Sequence, residues 1–220
     1  MHMLEDRGYE VPDDSKYYCA ECDPAMGSDD CECYNSFVDW VGEDEDAARS
    51  EMTVVFAKRD GSHQIMTFWT TNYGVENVRK IEEQMTQHGI KHSIVVYTNK
   101  ISSNAGNTMK NLKIQGFIIE PFHESEVQYV VTRSSLVPKH IICSKTKAEE
   151  VLKAYNITKD QLPEIKSTDP IVRYIGARKG QLIKIVRPSE SVASVFLQNP
   201  GTGASKDGKI FYDIFYRLVV

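Results

Sequence analysis

Short apolar segments alternate along the middle of the chain at the spacing of strands and helices, and this alternation limits the fold more than any other feature. Residues 53–57, 93–97 and 116–120 are short and rich in β-branched and aromatic side chains, so each is a predicted strand. From Val75 to Met85, apolar residues return every three or four positions, which predicts a helix with one buried face. Strands joined through helices pair in parallel with right-handed crossovers. Residues 51–133 are therefore predicted to form an α/β domain, in which helical crossovers connect strands of a mixed sheet.

Turn residues and polarity predict how these segments connect. Asp60-Gly61 is typical of a tight hairpin turn, so residues 64–69 are the predicted return strand. The polar residues 100–106 indicate a loop, and a weaker helix follows over 107–114. Residues 127–131 are predicted to form one further strand.

Residues 134–220 are predicted to form a smaller α+β domain. Thr146 begins a pattern typical of a helix capping box, and Asn156 ends that helix. Asp169 before Pro170 is typical of an N-cap followed by proline at the first helical position. This domain therefore contains two predicted helices that pack against strands.

The last strands of the chain are predicted to form a hairpin between residues 192–197 and 210–220. Glycine and polar residues dominate the intervening insertion over 198–209, which favours a long surface loop. We expect the insertion to project outward and to leave the fold of the domain intact.

The first 50 residues are acidic, poor in aliphatic side chains, and contain four of the five cysteines. They are predicted to be a separate N-terminal segment. The spacing of Cys19, Cys22, Cys31 and Cys33 could hold one structural zinc ion as four thiolates. The alternatives are free thiols in an acidic loop, or disulfides, which an intracellular setting disfavours. No other cofactor is indicated.

Charge is unevenly distributed, although the net charge is only −5. An acidic beginning is followed by a nearly neutral middle and a basic end. This pattern argues against a protein that wraps nucleic acid by bulk charge. The apolar runs are too short to span a membrane, and the acidic start is unlike a secretory signal.

Five short segments in the second half of the chain carry a family resemblance. Taken in their order along the chain, these segments resemble subunit 5 of eukaryotic DNA-directed RNA polymerases. The same region is also similar to the archaeal counterpart of that subunit. Weaker similarity upstream indicates the two-domain eukaryotic form. The segments are Leu136-Val137-Pro138-Lys139-His140, Gln161-Leu162-Pro163, Asp169-Pro170-Ile171-Val172-Arg173-Tyr174-Ile175-Gly176, Arg187-Pro188-Ser189-Glu190 and Tyr216-Arg217-Leu218-Val219-Val220.

The resemblance implies a non-catalytic subunit without an active site of its own. Its C-terminal domain would dock on the largest polymerase subunit, its other partners would be further polymerase subunits, and no homo-oligomer is expected. Its N-terminal domain would form the lower jaw beside downstream duplex DNA. The implied assembly residues are Leu136, Val137, Pro138, His140, Asp169, Pro170, Arg173, Tyr174, Gly176, Arg187, Pro188, Ser189 and Glu190.

The loop implied to lie near DNA departs from the family pattern. It comprises Lys100, Ile101, Ser102, Ser103 and Asn104, and it lacks the proline that the family usually carries between Thr and Ser. The cysteine segment and the insertion are also unusual for the family. Such divergence is typical of a protist polymerase, which would be nuclear. It is also typical of a polymerase encoded by a large DNA virus, which would act in a virion or viral factory.

Two alternatives from other classes remain open. An independent α/β nuclease or nucleotide-binding enzyme could carry the same C-terminal module, with Asp60 and Glu120 as candidate carboxylates. Such an enzyme needs clustered acids or a phosphate-binding loop, and neither pattern is evident. A free transcription regulator could also use the docking domain. His140 is interpreted as a structural histidine, because no nucleophile accompanies it.

Overall fold

Two separate four-stranded sheets organise the chain in the computed structural model. The structure describes residues 2–11, 49, 52–134, 136–188 and 212–220. The chain divides into two compact units, Met1–Tyr129 and Val130–Val220, called unit 1 and unit 2 below. The sequence placed this boundary between residues 133 and 134. Residues 2–11, predicted to precede the first domain, lie within unit 1.

Unit 1 is built on a mixed sheet with strand order β1-β2-β3-β4. β1 and β2 form the predicted antiparallel hairpin, whereas β2, β3 and β4 are parallel neighbours. The predicted α/β class is therefore confirmed for this unit. Its elements are α1 (His2–Asp6), β1 (Val54–Ala57), β2 (Gln64–Thr70), α2 (Val75–Gln87), β3 (His92–Tyr97), α3 (Ser103–Ile114), β4 (Ile118–His123) and α4 (Glu124–Val127).

The two faces of this sheet carry separate apolar cores, because successive strand residues point to opposite sides. On one face, Met66 and Val95 pack with the α2 residues that the helical spacing predicted to be buried. On the other face, Leu4 and Tyr9 pack with Ile94. The N-terminal residues are thus part of the core of unit 1.

Two elements predicted for the first domain, residues 51–133, are wrong. α3 begins at Ser103 and not at residue 107, because the Ser102 side chain accepts a hydrogen bond from the Ala105 amide and starts the helix earlier. Residues 127–131 are not a strand. Just before them, His123 and Glu126 form a reciprocal capping box that starts α4, and a 3₁₀ helix, Val131–Arg133, follows in unit 2.

Unit 2 contains the second sheet, with strand order β5-β7-β8-β6. Helices α5 and α6 pack on its opposite faces, as the alternation of Leu182 and Ile183 between two core clusters shows. Its elements are β5 (Lys139–Ile142), α5 (Lys145–Tyr155), a 3₁₀ helix (Lys159–Gln161), β6 (Glu164–Ile165), α6 (Pro170–Tyr174), β7 (Leu182–Pro188) and β8 (Tyr212–Val219).

The ends of both helices in unit 2 follow simple local rules, with one correction. Asp169 caps α6 and Pro170 occupies its first turn, as predicted. Asn156 ends α5 in the left-handed conformation, with φ of 51°. The N-cap of α5 is Ser144 and not Thr146, because the Ser144 hydroxyl accepts a hydrogen bond from the Lys147 amide.

The predicted last strand of the chain, residues 210–220, is observed as β8. β8 pairs antiparallel with β7, from Leu182 opposite Leu218 to Pro188 opposite Tyr212, and parallel with β6. The predicted partner, residues 192–197, lies outside the described residues, as does the insertion. β8 itself keeps its place between two strands of the sheet.

Candidate functional site

Two of the segments implied in assembly lie side by side in unit 2. β5 pairs antiparallel with β7, which puts Lys139 opposite Val186 and His140 opposite Ile185. The segment Leu136 to His140 therefore lies beside the end of β7, where the segment Arg187 to Glu190 begins. Leu136 is 90% exposed. Such exposure of a large apolar side chain makes it available for a contact.

His140 is held by its own strand. Its Nδ1 lies 2.7 Å from the carbonyl oxygen of Pro138, and since a carbonyl only accepts, Nδ1 donates. The side chain is half-buried. The hydrogen bond orients the His140 ring at the start of β5.

α6 contributes mainly core packing. Ile171, Val172 and Tyr174 are buried, and Val172 packs against Ile183 beneath the helix. Asp169 accepts a hydrogen bond from the Ile171 amide at 2.9 Å. Ile171, Val172 and Tyr174 can therefore influence a partner only by shaping the unit around them.

Gly176 and Arg173 lie at the C-terminal end of α6 in the same segment. Gly176 follows α6 with φ of 70°, a conformation that glycine adopts at little cost. Arg173 has a half-buried side chain in the last turn of α6. The 3₁₀ helix Val131–Arg133 contacts α6, so the chain just before Leu136 lies against this helix.

Phe215 contacts Arg187, one of the implied assembly residues, although the sequence analysis did not select Phe215. The guanidinium carbon of Arg187 lies 4.2 Å from the centre of the Phe215 ring, a cation–π contact. Phe215 and its neighbours Tyr212 and Ile214 on β8 are large apolar side chains that stay exposed. The pairing of β7 with β8 brings Arg187 and Phe215 together, and that pairing was not predicted.

Several other predicted site residues lie outside the described residues. The side chain of Pro188, and the whole of Ser189, Glu190, Cys19, Cys22, Cys31 and Cys33, belong to this group. Their proposed roles therefore remain predictions from the sequence.

The loop that follows β3 is held in place by backbone and side-chain hydrogen bonds. The Asn99 amide donates to the carbonyl of Thr71 at 2.9 Å, and the Asn99 side chain donates to Asn72 Oδ1 at 2.8 Å. The Ser102 amide donates to the carbonyl of Tyr73 at 3.3 Å. These bonds fix both ends of the loop without the family's proline.

Within this loop the side chains divide by environment. Lys100, Ser103 and Asn104 are exposed, whereas Ile101 packs against the core of unit 1. Ser102 is the N-cap of α3. The loop and the first turn of α3 therefore present a lysine and small polar side chains to solvent from a fixed backbone.

A buried polar network in unit 1 was missed by sequence reasoning. Glu120 lies between Arg7 and His92, accepting from the Arg7 guanidinium at 2.8 Å and from His92 Nε2 at 2.6 Å. On the far side of the ring, His92 Nδ1 lies 2.8 Å from His63 Nε2. The Arg7 and His92 side chains are only 5% and 6% exposed. No spacing rule connects residues so far apart in sequence.

The network strongly favours the ionised form of Glu120. Burial alone raises the pKa of this carboxyl, but the hydrogen bond from His92 and the charge of Arg7 outweigh it and lower the pKa to about 2. A carboxylate held in this way is fully occupied by two partners. It is poorly suited to act as a general base or as a ligand of a catalytic metal.

Asp60, the other carboxylate considered for an enzyme, caps its own hairpin turn. It accepts from the Ser62 hydroxyl at 2.6 Å and from the Ser62 amide at 2.9 Å, and these bonds lower its pKa. Within the described ranges, no group of three or more His, Cys, Asp or Glu residues could hold a metal ion. The same part of the chain contains no helix long and apolar enough to cross a membrane.

Comparison with known proteins identifies the family. A sequence model of the RNA polymerase Rpb5 C-terminal domain matches residues 129–197. The Caenorhabditis briggsae protein "DNA-directed RNA polymerases I, II, and III subunit RPABC1" is 29% identical over 197 residues, which cover 87% of this chain and 86% of that protein. The Dictyostelium discoideum protein of the same name is 32% identical over 148 residues, which cover 66% of this chain and 75% of that protein.

Fold, site and relatives together define a non-catalytic subunit of a multisubunit DNA-directed RNA polymerase. The chain belongs to the Rpb5 family of such subunits. The resemblance read from the five segments is thereby confirmed. The alternative of an independent nuclease or nucleotide-binding enzyme finds no support.

Proposed function

We propose that unit 2 anchors this subunit to the largest subunit of its polymerase and that unit 1 forms a jaw beside downstream DNA. The observation that carries the first half is the Rpb5 C-terminal match over residues 129–197, which covers most of the described part of unit 2. The relatives are named as polymerase subunits, so other polymerase subunits are the expected partners.

The exposed side chains of unit 2 support docking to a protein. Leu136, Tyr212 and Ile214 expose apolar surface, and Arg187 adds a charge above Phe215. Aromatic residues and arginine are enriched where protein interfaces bind most strongly. The basic character of this half of the sequence suits an acidic docking surface on the partner.

Affinity purification of the tagged full chain from its native cells tests the anchor. We expect the two largest polymerase subunits to be recovered at about one copy each per copy of this chain. Leu136→Asp should reduce that recovery without changing the thermal unfolding midpoint. Ile114→Asp is the matched control, since Ile114 is 86% exposed in unit 1. Substoichiometric recovery would instead favour a free regulator, and equal loss in both variants would contradict the docking role of Leu136.

For unit 1, the proposal is that the loop Lys100 to Asn104 faces the phosphate backbone of downstream duplex. The loop has an exposed lysine and a fixed backbone, which suit contacts that do not read sequence. The isolated chain should bind duplex DNA weakly and with strong salt dependence. In assembled polymerase, Lys100→Glu should reduce crosslinking of this chain to downstream DNA, whereas Lys110→Glu serves as an exposed control on the same helix-loop segment. Nanomolar, sequence-specific binding by the free chain would overturn this assignment.

Two further parts of the proposal concern zinc and location. Cys19, Cys22, Cys31 and Cys33 are proposed to hold one structural zinc, on the chemistry of four thiolates within a short segment.

The subunit is proposed to act in the nucleus, as the naming of eukaryotic relatives for polymerases I, II and III suggests. A viral factory is the alternative location. Cell fractionation with detection of the tagged chain distinguishes the two.

A further inference from the structure

The sheet of unit 2 has two distinct faces, and the register of its strands assigns each side chain to one of them. β7 and β8 pair without a break over seven residue pairs. Leu182 of β7 packs with Val151 of α5, whereas the next residue, Ile183, packs with Val172 of α6. Since successive strand residues point to opposite sides, even-numbered residues of β7 face the α5 side and odd-numbered ones face the α6 side. The same holds for β8, because Leu218 lies opposite Leu182.

Several of the residues implied in assembly lie on the α6 side. Arg187 is odd-numbered on β7, and its guanidinium lies against the Phe215 ring. His140 lies opposite Ile185, which packs in the core on the α6 side, and Arg173 belongs to α6 itself. An anchor built on these residues would use the α6 side of the sheet. It would leave the α5 side to other contacts.

On the α5 side, the helix covers only one end of the sheet. α5 packs over the end that contains Leu182. At the other end, the even-numbered residues Tyr212 and Ile214 of β8 are 55% and 48% exposed. Ile141 on β5 lies opposite Lys184, so it shares this side, and it is 40% exposed. We call this surface the β8 patch, which comprises Ile141, Val186, Tyr212 and Ile214.

Two lysines lie within the β8 patch. Lys139 lies opposite Val186, and Lys184 lies between Ile141 and Tyr216 on the neighbouring strands. Within the described part of the chain, neither lysine forms an ion pair with a carboxylate. The positions of β5, β7 and β8 that face the α5 side include no aspartate or glutamate. The exposed end of this face is therefore apolar and positively charged.

The spacing of the two lysines matches an extended acidic segment. Lys139 pairs with Val186, which is two positions from Lys184 on β7, so the two lysines are diagonal neighbours. Diagonal neighbours on an antiparallel pair are about 7–8 Å apart. Side chains two positions apart in an extended chain lie on one side, about 7 Å from each other. Two carboxylates at alternate positions of such a segment can therefore reach both lysines.

The aliphatic centre of the patch favours a protein over a nucleic acid. Ile141, Val186 and Ile214 form this centre, and burying them requires apolar groups on the partner. Single-stranded nucleic acids instead bind where their bases stack on aromatic side chains, and Tyr212 is the single aromatic member of the patch.

We propose that the β8 patch binds an extended acidic segment of a protein other than the largest polymerase subunit. Carboxylates of the segment contact Lys139 and Lys184, and an apolar side chain packs on Ile214. This inference rests on the proposed docking role of unit 2, and it assigns the α5 side to a partner of its own. Because the two faces are opposite, the anchor on the α6 side and this segment can be bound at the same time.

Fluorescence anisotropy of the purified full chain with a labelled peptide tests the patch. The probe is a short synthetic peptide that carries glutamate at two alternate positions and leucine at the next alternate position, with serine between them. We expect saturable binding that weakens at least about fivefold in Lys184→Glu, because an attraction becomes a repulsion. Lys179→Glu is the matched control, since Lys179 is exposed in the turn before β7, at the other end of the strand. Equal weakening in both variants would show unspecific charge attraction and would contradict the site.

The apolar part of the contact is tested from both sides. A peptide with serine in place of leucine should bind the unmodified chain more weakly, and this comparison needs no change in the protein. Ile214→Asp should also weaken binding, whereas Phe215→Asp, one position later on the α6 side, should not. Thermal unfolding of both variants identifies any loss of fold. Equal binding of the leucine and serine peptides would contradict the packing on Ile214.

Two other occupants of the patch give different results. Tighter binding of a labelled oligothymidine than of the peptide, lost in Lys184→Glu, would assign the patch to nucleic acid. Sedimentation of the full chain as a dimer that Ile214→Asp converts to a monomer would assign the patch to a second copy. Either result would overturn the proposal.

Affinity purification of the Lys184→Glu chain separates this inference from the proposed anchor. We expect the two largest polymerase subunits to be recovered as with the unmodified chain, because the substitution lies on the α5 side. Their loss in Lys184→Glu would place the α5 side in the anchor and would overturn the assignment to another partner. Their absence with the unmodified chain would contradict the anchor, while the peptide measurements would still decide the β8 patch.

Discussion

Arg7 and Glu120 are 113 positions apart in sequence, yet the Arg7 guanidinium donates to the Glu120 carboxylate at 2.8 Å within unit 1. The pair ties the N-terminal segment to β4, a strand at the edge of the sheet. Because both side chains are largely withdrawn from water, removal of either partner would leave an uncompensated group.

Glu120→Gln should lower the stability of unit 1 at neutral pH and change its acid response. The pKa of Glu120 is lowered from 4.5 to about 2, so its stabilising contribution is complete above about pH 5 and is lost as the pH falls from there toward 2. The loss at neutral pH should be roughly 3 kcal/mol. Urea unfolding at a series of pH values measures both effects.

The control for this substitution is Glu76→Gln. Glu76 pairs with Lys80 at 3.3 Å, but both side chains are well exposed, so little stability should be lost. Equal losses of stability for Glu76→Gln and Glu120→Gln would show that the buried Arg7–Glu120 pair contributes no more to stability than an exposed ion pair.

Ser102→Ala should destabilise α3 by about 1 kcal/mol, because it removes the N-cap that accepts from the Ala105 amide. Ser103→Ala is a matched control one position later, on an exposed side chain of the first turn. Thermal unfolding of both variants provides the comparison. If Ser103→Ala costs as much as Ser102→Ala, the assigned start of α3 is incorrect.

Asn156→Ala should cost about 1 kcal/mol, because alanine is strained in the left-handed conformation that ends α5. Asn156→Gly should be neutral or slightly stabilising at the same position, since glycine adopts positive φ readily. Chemical unfolding of unit 2 in the full chain measures the difference. The two substitutions would have the same effect if the backbone there were not left-handed.

Purified full chain should contain about one zinc per molecule if the four clustered cysteines form the proposed site. Elemental analysis measures the content, and Cys22→Ser should reduce it. Cys143→Ser is the control: burial raises the pKa of the Cys143 thiol in unit 2, far from the cluster in sequence. Less than about half an equivalent of zinc in carefully prepared protein would contradict the site.

Much of unit 1 follows from local sequence pattern. The three- and four-residue spacing from Val75 to Met85 correctly identified the buried face of α2, and the continuous apolar run of β3 correctly indicated a strand covered on both faces. The helical spacing of α2 extends over several turns, and the apolar run of β3 extends over several residues. One residue that departs from such a pattern therefore does not change the predicted element.

The errors arise where one hydrogen bond or one distant partner decides the outcome. Ser102 and Ser144 start their helices through a single side-chain bond each, and neighbouring polar residues could have done the same. The pairing of β8 with β7 depends on strands separated by a long insertion. Likewise, no local rule brings Arg7, His92 and Glu120 together.

Placement of β8 between β7 and β6 determines the order in which unit 2 can be completed during synthesis. β6 emerges from the ribosome well before β8, its parallel neighbour through Ile165 and Val219. At roughly 5–20 residues per second, the interval lasts a few seconds. During that time β6 and β7 each have an open edge where β8 will later lie. Such edges can pair with another chain, so newly made subunit is most vulnerable to aggregation just before β8 arrives.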